Sequence, residues 1–543
     1  MTKLAFHSFL TLALLFGLLF VVMTVVLVLL EAPLVLAIGA ALILGMVQFG
    51  ISPFVIEWIH KIDWVSPEDV DQDIASLIRS VCQERGFKEP RFGVIRDGNP
   101  NAFTFGHYPG NARIVVTSGL LEVCDTAQRR AVVAHELGHV VNWDFVVMTV
   151  AGTVPLILFY IYRFGIYSGR GRRRDGGGAM LIVALGALVA YFISQYIVLF
   201  LSRVREYYAD DFAARTTHDP NALATGLVKI AYGLARSRPP AEKEQEPVAA
   251  SAGMKPFGIF DATYGKSMAV ATAGAYGLTG DEAAAEGASD AMKWDLWNPW
   301  AGLLELSSTH PLPAKRIRAL GHTAERMGQE RAYNIPDRPE RSYWGDFTVD
   351  LIVKVLPAIG LLAGIAVAIP LGFAAGMPVT GAGIVALGLG AGLLARLAVV
   401  HPRGRFDAGR VRDLVGEVRV SAVRPMPVRL EGKIIGRGIP GLYWGEDLVL
   451  QDDSGFILLQ YRQPLRMLEF LFGLFRAESF IGQKVTAEGW YRRAPVPYLE
   501  IWKVHLPDGN THTSHNRGLS FAFGLLVTIG GLLVTLFGMM GLA

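Results

Sequence analysis

The sequence predicts an integral membrane protein, mainly α-helical with about seven transmembrane helices, that carries a polar α+β domain and a small C-terminal β-barrel. Three observations predict it. Of 543 residues, 52% are hydrophobic and only 18% charged, and with the 60 glycines the apolar share reaches about 63%, against ~45–50% in soluble domains. Seven apolar runs are long enough to cross a hydrocarbon core of ~30 Å, which takes about 20 residues in helix. The last polar segment alternates apolar and polar residues at the two-residue period of half-buried strands.

The apolar runs are Leu4 to Leu30, Pro33 to Ile59, Phe145 to Tyr162, Ala179 to Leu201, Leu351 to Gly372, Val379 to Val400 and Leu519 to Leu542. The first begins Met-Thr-Lys but is about twice as long as a signal-peptide core, and a second follows at once, so it reads as an anchor. The third is the shortest and contains Pro155; with the fourth it could form a shallow hairpin. Short linkers join the first six runs in pairs, so the polar segments Lys61 to Asp144, Ser202 to Asp350 and His401 to Arg517 share one side of the membrane. The expected organisation is a transmembrane hairpin (1–60), a polar domain (61–348) that includes the hairpin 145–201 and a mobile segment 237–291, a second hairpin (349–402), a β-rich domain (403–517) and a C-terminal transmembrane helix (518–543).

Within the first polar segment, Pro67 to Arg85 has helical spacing, Arg91 to Arg96 and Arg113 to Ser118 read as short strands, and a helical pattern runs from Thr126 into the third span. The Pro-, Ala-, Gly- and Glu-rich stretch Ser237 to Ala291 reads as mobile. In the third segment Val428 to Ile435, Leu448 to Leu450, Phe456 to Tyr461, Lys484 to Tyr491 and Tyr498 to Val504 read as five strands, with a helical insert near Leu465 to Phe475. That pattern resembles an oligonucleotide/oligosaccharide-binding (OB) fold.

Several partner classes can be set aside. A net charge of +3 gives no electrostatic ground for nucleic acid, and two cysteines, Cys82 and Cys124, cannot build a disulfide framework. Tyr443, Trp444, Trp490, Tyr491, Arg492 and Arg493 of the OB-like segment could stack on bases, but aromatics of small barrels are more often core. A module that docks substrate, a regulator or a second copy of the chain is the better reading, and nucleic acid is not an expected partner. Trp294, Trp297 and Trp300 could anchor at the lipid interface or be buried.

The chemistry is concentrated in His135-Glu136-Leu137-Gly138-His139. On a helix, positions i and i+4 share a face, so both imidazoles can reach one metal while Glu136 faces a metal-bound water. A catalytic zinc needs a third protein ligand, and Glu206 is the candidate: His139 precedes the third span by about as many residues as Glu206 follows the fourth, so an antiparallel hairpin sets them at matching height. Asp210, one turn on, could accept the outer N–H of a ligating histidine or be a solvated acid, and Glu206 could instead pair with Arg203 or Arg205.

Four blocks carry a family resemblance: Ala134 to His139, Arg205-Glu206-Tyr207-Tyr208-Ala209-Asp210, Ser308-Thr309-His310-Pro311 followed by Arg316-Ile317, and Asn101-Ala102-Phe103-Thr104-Phe105-Gly106. Over roughly Met1 to Leu320 the chain resembles the HtpX-type membrane metalloproteases, grouped with the CaaX prenyl proteases in one zinc peptidase family. The resemblance implies a zincin-like catalytic domain, one Zn2+ per chain held by His135, His139 and Glu206, and Glu136 as general base. It further implies that His310 and Arg316 stabilise the intermediate or orient the substrate. Asn101, Ala102 and Phe103 would lie on an edge strand that binds extended polypeptide through main-chain hydrogen bonds, which suits degradation of membrane or misfolded proteins.

Two alternatives stand beside that reading. One is a specific processing peptidase of the CaaX type, whose larger intramembrane chamber would need most spans ahead of the motif. The other is a non-catalytic scaffold with a structural zinc, which would have no use for Glu136. The resemblance sets the catalytic side in the cytoplasm of a bacterial or archaeal cell, at the inner (cell) membrane. Lys3, Lys61, Arg203, Arg205, Arg341, Arg403, Arg405 and Arg517 agree, whereas Arg170, Arg172, Arg173 and Arg174 oppose it.

Overall fold

The computed structural model describes residues 34–171, 177–236, 281–437, 447–463, 466–494 and 496–541. These fall into two compact units, one within Met1–Ala269 and Leu303–Tyr333, the other within Val270–Gly302 and Asn334–Ala543.

In the first unit a four-stranded sheet is built from β1 (Asp63–Trp64), β2 (Arg91–Ile95), β3 (Ala102–Phe105) and β4 (Arg113–Thr117) in the order β1-β2-β4-β3. β2 and β4 run parallel; β3 lies antiparallel at the edge, with Phe103 opposite Val115. The helix Gln72–Arg85 lies between β1 and β2 in the chain; the Asp71 carboxylate accepts the Asp73 N–H at its start, and Gly86 at φ 68° ends it. Phe103 and Phe105 turn one face of β3 into a cluster with Ile56, Ile95 and Val115. Side chains alternate along a strand, so Thr104 points to the other face. The loop after β3 is tied to the helix Leu34–His60, in which Pro53 lacks an N–H and leaves the Phe49 carbonyl without its helical donor. His107 Nε2 stands 3.1 Å from that oxygen and 3.1 Å from the Gly50 oxygen.

The helix Thr126–Val141 opens with a reciprocal capping box between Asp125 and Gln128. It does not run into the third span as the sequence pattern suggested. Asn142 and Trp143, the latter at φ 58°, break the chain before the helix Asp144–Gly171 begins. The fourth span does continue unbroken, as the 41-residue helix Gly177–Thr217 that carries Glu206 and Asp210.

The second unit holds β5 (Asp407–Ala408), β6 (Met426–Arg437), β7 (Leu448–Gln451), β8 (Phe456–Gln460), β9 (Lys484–Arg493), β10 (Pro497–His505) and β11 (Thr511–Thr513). β6 pairs with β7, β7 with β8, β8 in parallel with β10, β10 with β9, and β9 again with β6. The result is a closed five-stranded barrel that fits the OB-like reading, with the helix Arg466–Phe475 between β8 and β9. Leu430, Ile434, Leu450, Ile457, Leu459, Ala487 and Leu499 fill it. Trp490, Tyr491, Arg492 and Arg493 are all buried and present no face to a base; Tyr443 and Trp444 lie outside the described residues.

Buried Arg493 donates to the Val415 and Ala291 carbonyls, stands 3.3 Å from Asp295, and lies over the Trp294 ring. Trp294 Nε1 donates to Val420 O, Asn298 to Val418 O, and Trp300 Nε1 to the buried Asp350. Trp294 and Trp300 are therefore buried rather than lipid anchors. The same packing corrects part of the expected mobile segment: Asp281–Trp297 is a helix whose Ala288, Ala291 and Met292 are buried, and 237–280 lie outside the described residues.

Among the described residues, five helices are long and apolar enough to cross a membrane: Asp144–Tyr167, Leu181–Thr217, Trp344–Phe373, Pro378–Val400 and Asn516–Met539. Leu34–His60 is a further apolar helix of 27 residues; the predicted run Leu4 to Leu30 is outside the described residues. In the second unit small residues let backbones touch, as membrane helices require when lipid offers no hydrophobic drive. A Cβ on Gly360 or on Gly388 would stand 2.2 Å from the other's carbonyl oxygen. Gly388→Val should accordingly cost about 1–3 kcal/mol, read as a lower melting temperature in detergent. Burial pushes the Cys82 and Cys124 thiols up to about 12, so the folded chain at pH 8 should resist alkylation until denaturant is added; fast labelling of either would contradict this packing.

Candidate metal centre

His135 and His139 lie one turn apart on the same face of Thr126–Val141, and their Nε2 atoms are 3.2 Å apart. Glu206 reaches them from Gly177–Thr217, with Oε2 3.6 Å from His135 Nε2 and Oε1 3.6 Å from His139 Nε2. Among the described residues this is the one group of three potential ligands that converges on a point. The two helices approach this closely because residue 138 is glycine: a Cβ there would stand 3.0 Å from Ala209 Cα.

The outer ring nitrogens are engaged as well. Asp210 Oδ1 is 3.0 Å from His135 Nδ1, and Asp144 Oδ2 is 2.5 Å from His139 Nδ1. Each carboxylate accepts an Nδ1–H, which orients both Nε2 atoms toward Glu206. Asp210 was anticipated; Asp144 was not. It begins the third span, and only the left-handed turn at Trp143 brings it back to His139. Arg205 pairs with Asp144 and donates to Asn142 O at 2.9 Å, while Arg203 donates to the carbonyls of Glu305, Leu306 and Ser308. The cation against Glu206 is instead Arg316, fully buried: Nη1 is 3.1 Å from Glu206 Oε2, and Nε and Nη2 donate to Asp210 at 2.8 and 2.6 Å.

His310, from the Ser-Thr-His-Pro turn, sets Nε2 3.6 Å from Glu206 Oε1, and Thr309 Oγ1 lies 2.9 Å from its Nδ1. Glu136 is buried, and its Oε2 accepts a hydrogen bond of 2.6 Å from Thr104 Oγ1, a contact the sequence reading did not identify. Strand alternation, which aims Thr104 away from Phe103 and Phe105, was the signal available. Asn101 is fixed by backbone bonds with Thr117, whose N–H and Oγ1 serve its O and N. Ala102 and Phe103 are buried as whole residues, main chain included, whereas Asn101 and Thr104 are half-buried.

Burial and the Arg316 guanidinium oppose a charge on His135, but hydrogen bonds to Asp210 and Glu206 outweigh them and raise it to about 9. Burial holds His139 below its usual value. Against burial, Asp210 and Glu206 hold the Arg316 proton more tightly than usual. The donor set is one that suits a zinc ion, whose tetrahedral ligands at ~2.0–2.2 Å stand about 3.4 Å from one another: the two Nε2 atoms are 3.2 Å apart, each has a different Glu206 oxygen at 3.6 Å, and with one atom from each residue all three lie within 4.8 Å of one another.

A helix with two histidines one turn apart and a membrane-type helix that brings a glutamate to the same point, with an acid beside the first histidine, define the class as a membrane-bound metallohydrolase. The chain belongs to peptidase family M48, whose sequence model matches residues 68–324. It is 36% identical over 239 residues to a protease HtpX homolog of Methanothermobacter thermautotrophicus, a match covering 43% of this chain and 87% of that protein. A protease HtpX homolog of Thermococcus sibiricus is 29% identical over 311 residues, 55% of this chain and 89% of the relative. The crystal structure of S. mikatae Ste24p aligns over 41% of this chain and 57% of that one, at 19% identity and a TM-score of 0.33. The protein is a membrane metalloprotease, as the four sequence blocks implied.

Gly138→Val should part the two helices and lower bound metal per chain, measured by elemental analysis of the purified protein. Asp144→Asn should weaken metal affinity by about 10–100-fold while leaving the fold intact by circular dichroism.

Proposed function

We propose that His135, His139 and Glu206 hold one zinc ion, that Glu136 is the general base, and that the enzyme hydrolyses peptide bonds in extended segments of membrane or misfolded proteins. The observation that carries this is the convergence of both Nε2 atoms on Glu206, with each Nδ1 tied back by a carboxylate. Zinc bound there supplies Lewis-acid activation of a water and of the scissile carbonyl.

Glu136 takes the proton of the attacking water and returns it to the leaving amine. The Thr104 hydroxyl occupies Oε2 of that carboxylate, which leaves Oε1 for the water. His310, beside Glu206, is placed to support the charge that develops on the carbonyl oxygen. Arg316 spends its donors on Asp210 and Glu206, so its part is to position those carboxylates. The edge of β3 not paired with β4, at Asn101, Ala102 and Phe103, is the proposed main-chain template for an extended substrate, which would displace what covers Ala102 and Phe103. Backbone pairing is nearly blind to side-chain identity, which favours degradation over recognition of a single partner.

Relatives in archaea and bacteria support placing the protein in a cell membrane, and the proposed orientation has the site facing the cytoplasm. Because Cys82 and Cys124 are buried, orientation is best read from a cysteine introduced at exposed Lys88. In sealed right-side-out vesicles it should be protected from an impermeant reagent.

Zinc content and casein cleavage of the detergent-solubilised protein test the assignments. Glu136→Gln should keep about one zinc and lose cleavage, and Glu206→Ala should lose both. Thr104→Val should lower kcat on the order of 10-fold with KM and zinc unchanged, and Thr104→Ser should restore it. A Glu136→Gln protein that still cuts would remove the proposed base.

A further inference from the structure

The helix Arg466–Phe475 does not bury all of its apolar side chains. Phe472 faces the barrel, with its ring centroid 4.0 Å from Tyr461 and 5.7 Å from Phe480. At ~100° per residue, Met467 and Phe470 lie roughly 140–160° around the helix from Phe472, and they are 64% and 42% exposed. Ile481, just beyond, and Ile435 are also exposed, at 37% and 46%. The two are brought together by hydrogen bonds that link Ile434 to Gly482 and Gln483.

The position of the helix identifies what covers this face. Just before it, Arg462 O accepts from Ser514 Oγ, and Gln463 Oε1 accepts the His515 N–H at 3.3 Å. His515 is the cap of the membrane-spanning helix Asn516–Met539. Next to it, Glu500 accepts from His401, Arg492 and Asn516, and Arg492 also donates to Val400 O, the last carbonyl of the membrane helix Pro378–Val400. The ends of two membrane helices and the start of Arg466–Phe475 therefore meet at one level. Exposed Leu519, Phe521 and Phe523 continue the apolar surface down Asn516–Met539, and Arg462 and Arg476 are exposed at either end of the short helix.

We propose that Arg466–Phe475 is an interfacial helix, lying along the bilayer surface with Met467 and Phe470 in the upper acyl region and Arg462 and Arg476 among anionic headgroups. Among the described residues, the exposed side chains of this face are too few for a stable protein–protein interface of ~1,600 Å². They suffice to fix the tilt of a barrel that two membrane helices already tether.

The test is lipid quenching on the full chain in nanodiscs of phosphatidylcholine and phosphatidylglycerol. Met467→Cys, and separately Phe470→Cys, is labelled with an environment-sensitive fluorophore, the buried native cysteines staying unlabelled; zinc content and casein cleavage verify each protein. Leu526→Cys, 69% exposed on the membrane helix, is the immersed control. Asp453→Cys, exposed in the β7–β8 turn at the other end of β8, is the aqueous one. Nitroxide near the lipid carbonyls should remove about half of the intensity at 467 and 470, nitroxide near the chain ends less, and neither should affect 453. If the probes at 467 and 470 behave like the one at 453 while 526 is quenched, the proposal falls. It falls equally if they escape lipid quenching but transfer energy between labelled copies, for then a second chain covers the face.

Discussion

The close approach of two helices at Gly138 and Ala209 is the constraint on which the rest of the first unit depends. It brings Glu206 to within 3.6 Å of His135 and His139, although the third and fourth spans separate them in sequence. Close packing has an electrostatic consequence. Glu136, Glu206 and Asp210 are all buried, and buried carboxylates are tolerated only when paired and hydrogen-bonded. Arg316, with no exposed surface of its own, answers Glu206 and Asp210 together. The segment that carries His310 and Arg316 is thus an integral part of the site, and Asp144 with Arg205 plays the same part for His139.

The sheet serves the site through one strand. Phe103 and Phe105 fix β3 by packing on one side, Thr104 reaches Glu136 on the other, and His107 ties the following loop to the carbonyl released by Pro53. A strand held this firmly keeps the Thr104 hydroxyl against Glu136.

The second unit is organised by buried charge of a different kind. Arg493, Asp295 and Trp294 fasten the helix Asp281–Trp297 to the barrel, and Asp350 collects Trp300, Ser421 and Arg424 at the start of a membrane helix. Each is a buried group whose removal would strand a partner in a dry environment. These residues specify where the barrel sits on its own membrane helices, and Glu500 does the same beside them, where its partner Arg492 donates to Ala422 O.

By itself the sequence determined the membrane class, five barrel strands to within a few residues, and the three side chains that converge on one point. Apolar length, two-residue alternation and the i,i+4 rule are local properties, readable without knowing what packs on what. Only the tertiary structure decided that the helix of His135 and His139 stops at Trp143, because a single left-handed residue leaves no periodic trace. It likewise decided that Asp144 and Thr104 join the site. It turned Asp281–Ala291 from an expected mobile stretch into a buried helix, since the surface that orders it belongs to strands more than a hundred residues away. Burial is a relation between distant segments, and a low-complexity composition carries no record of its partner.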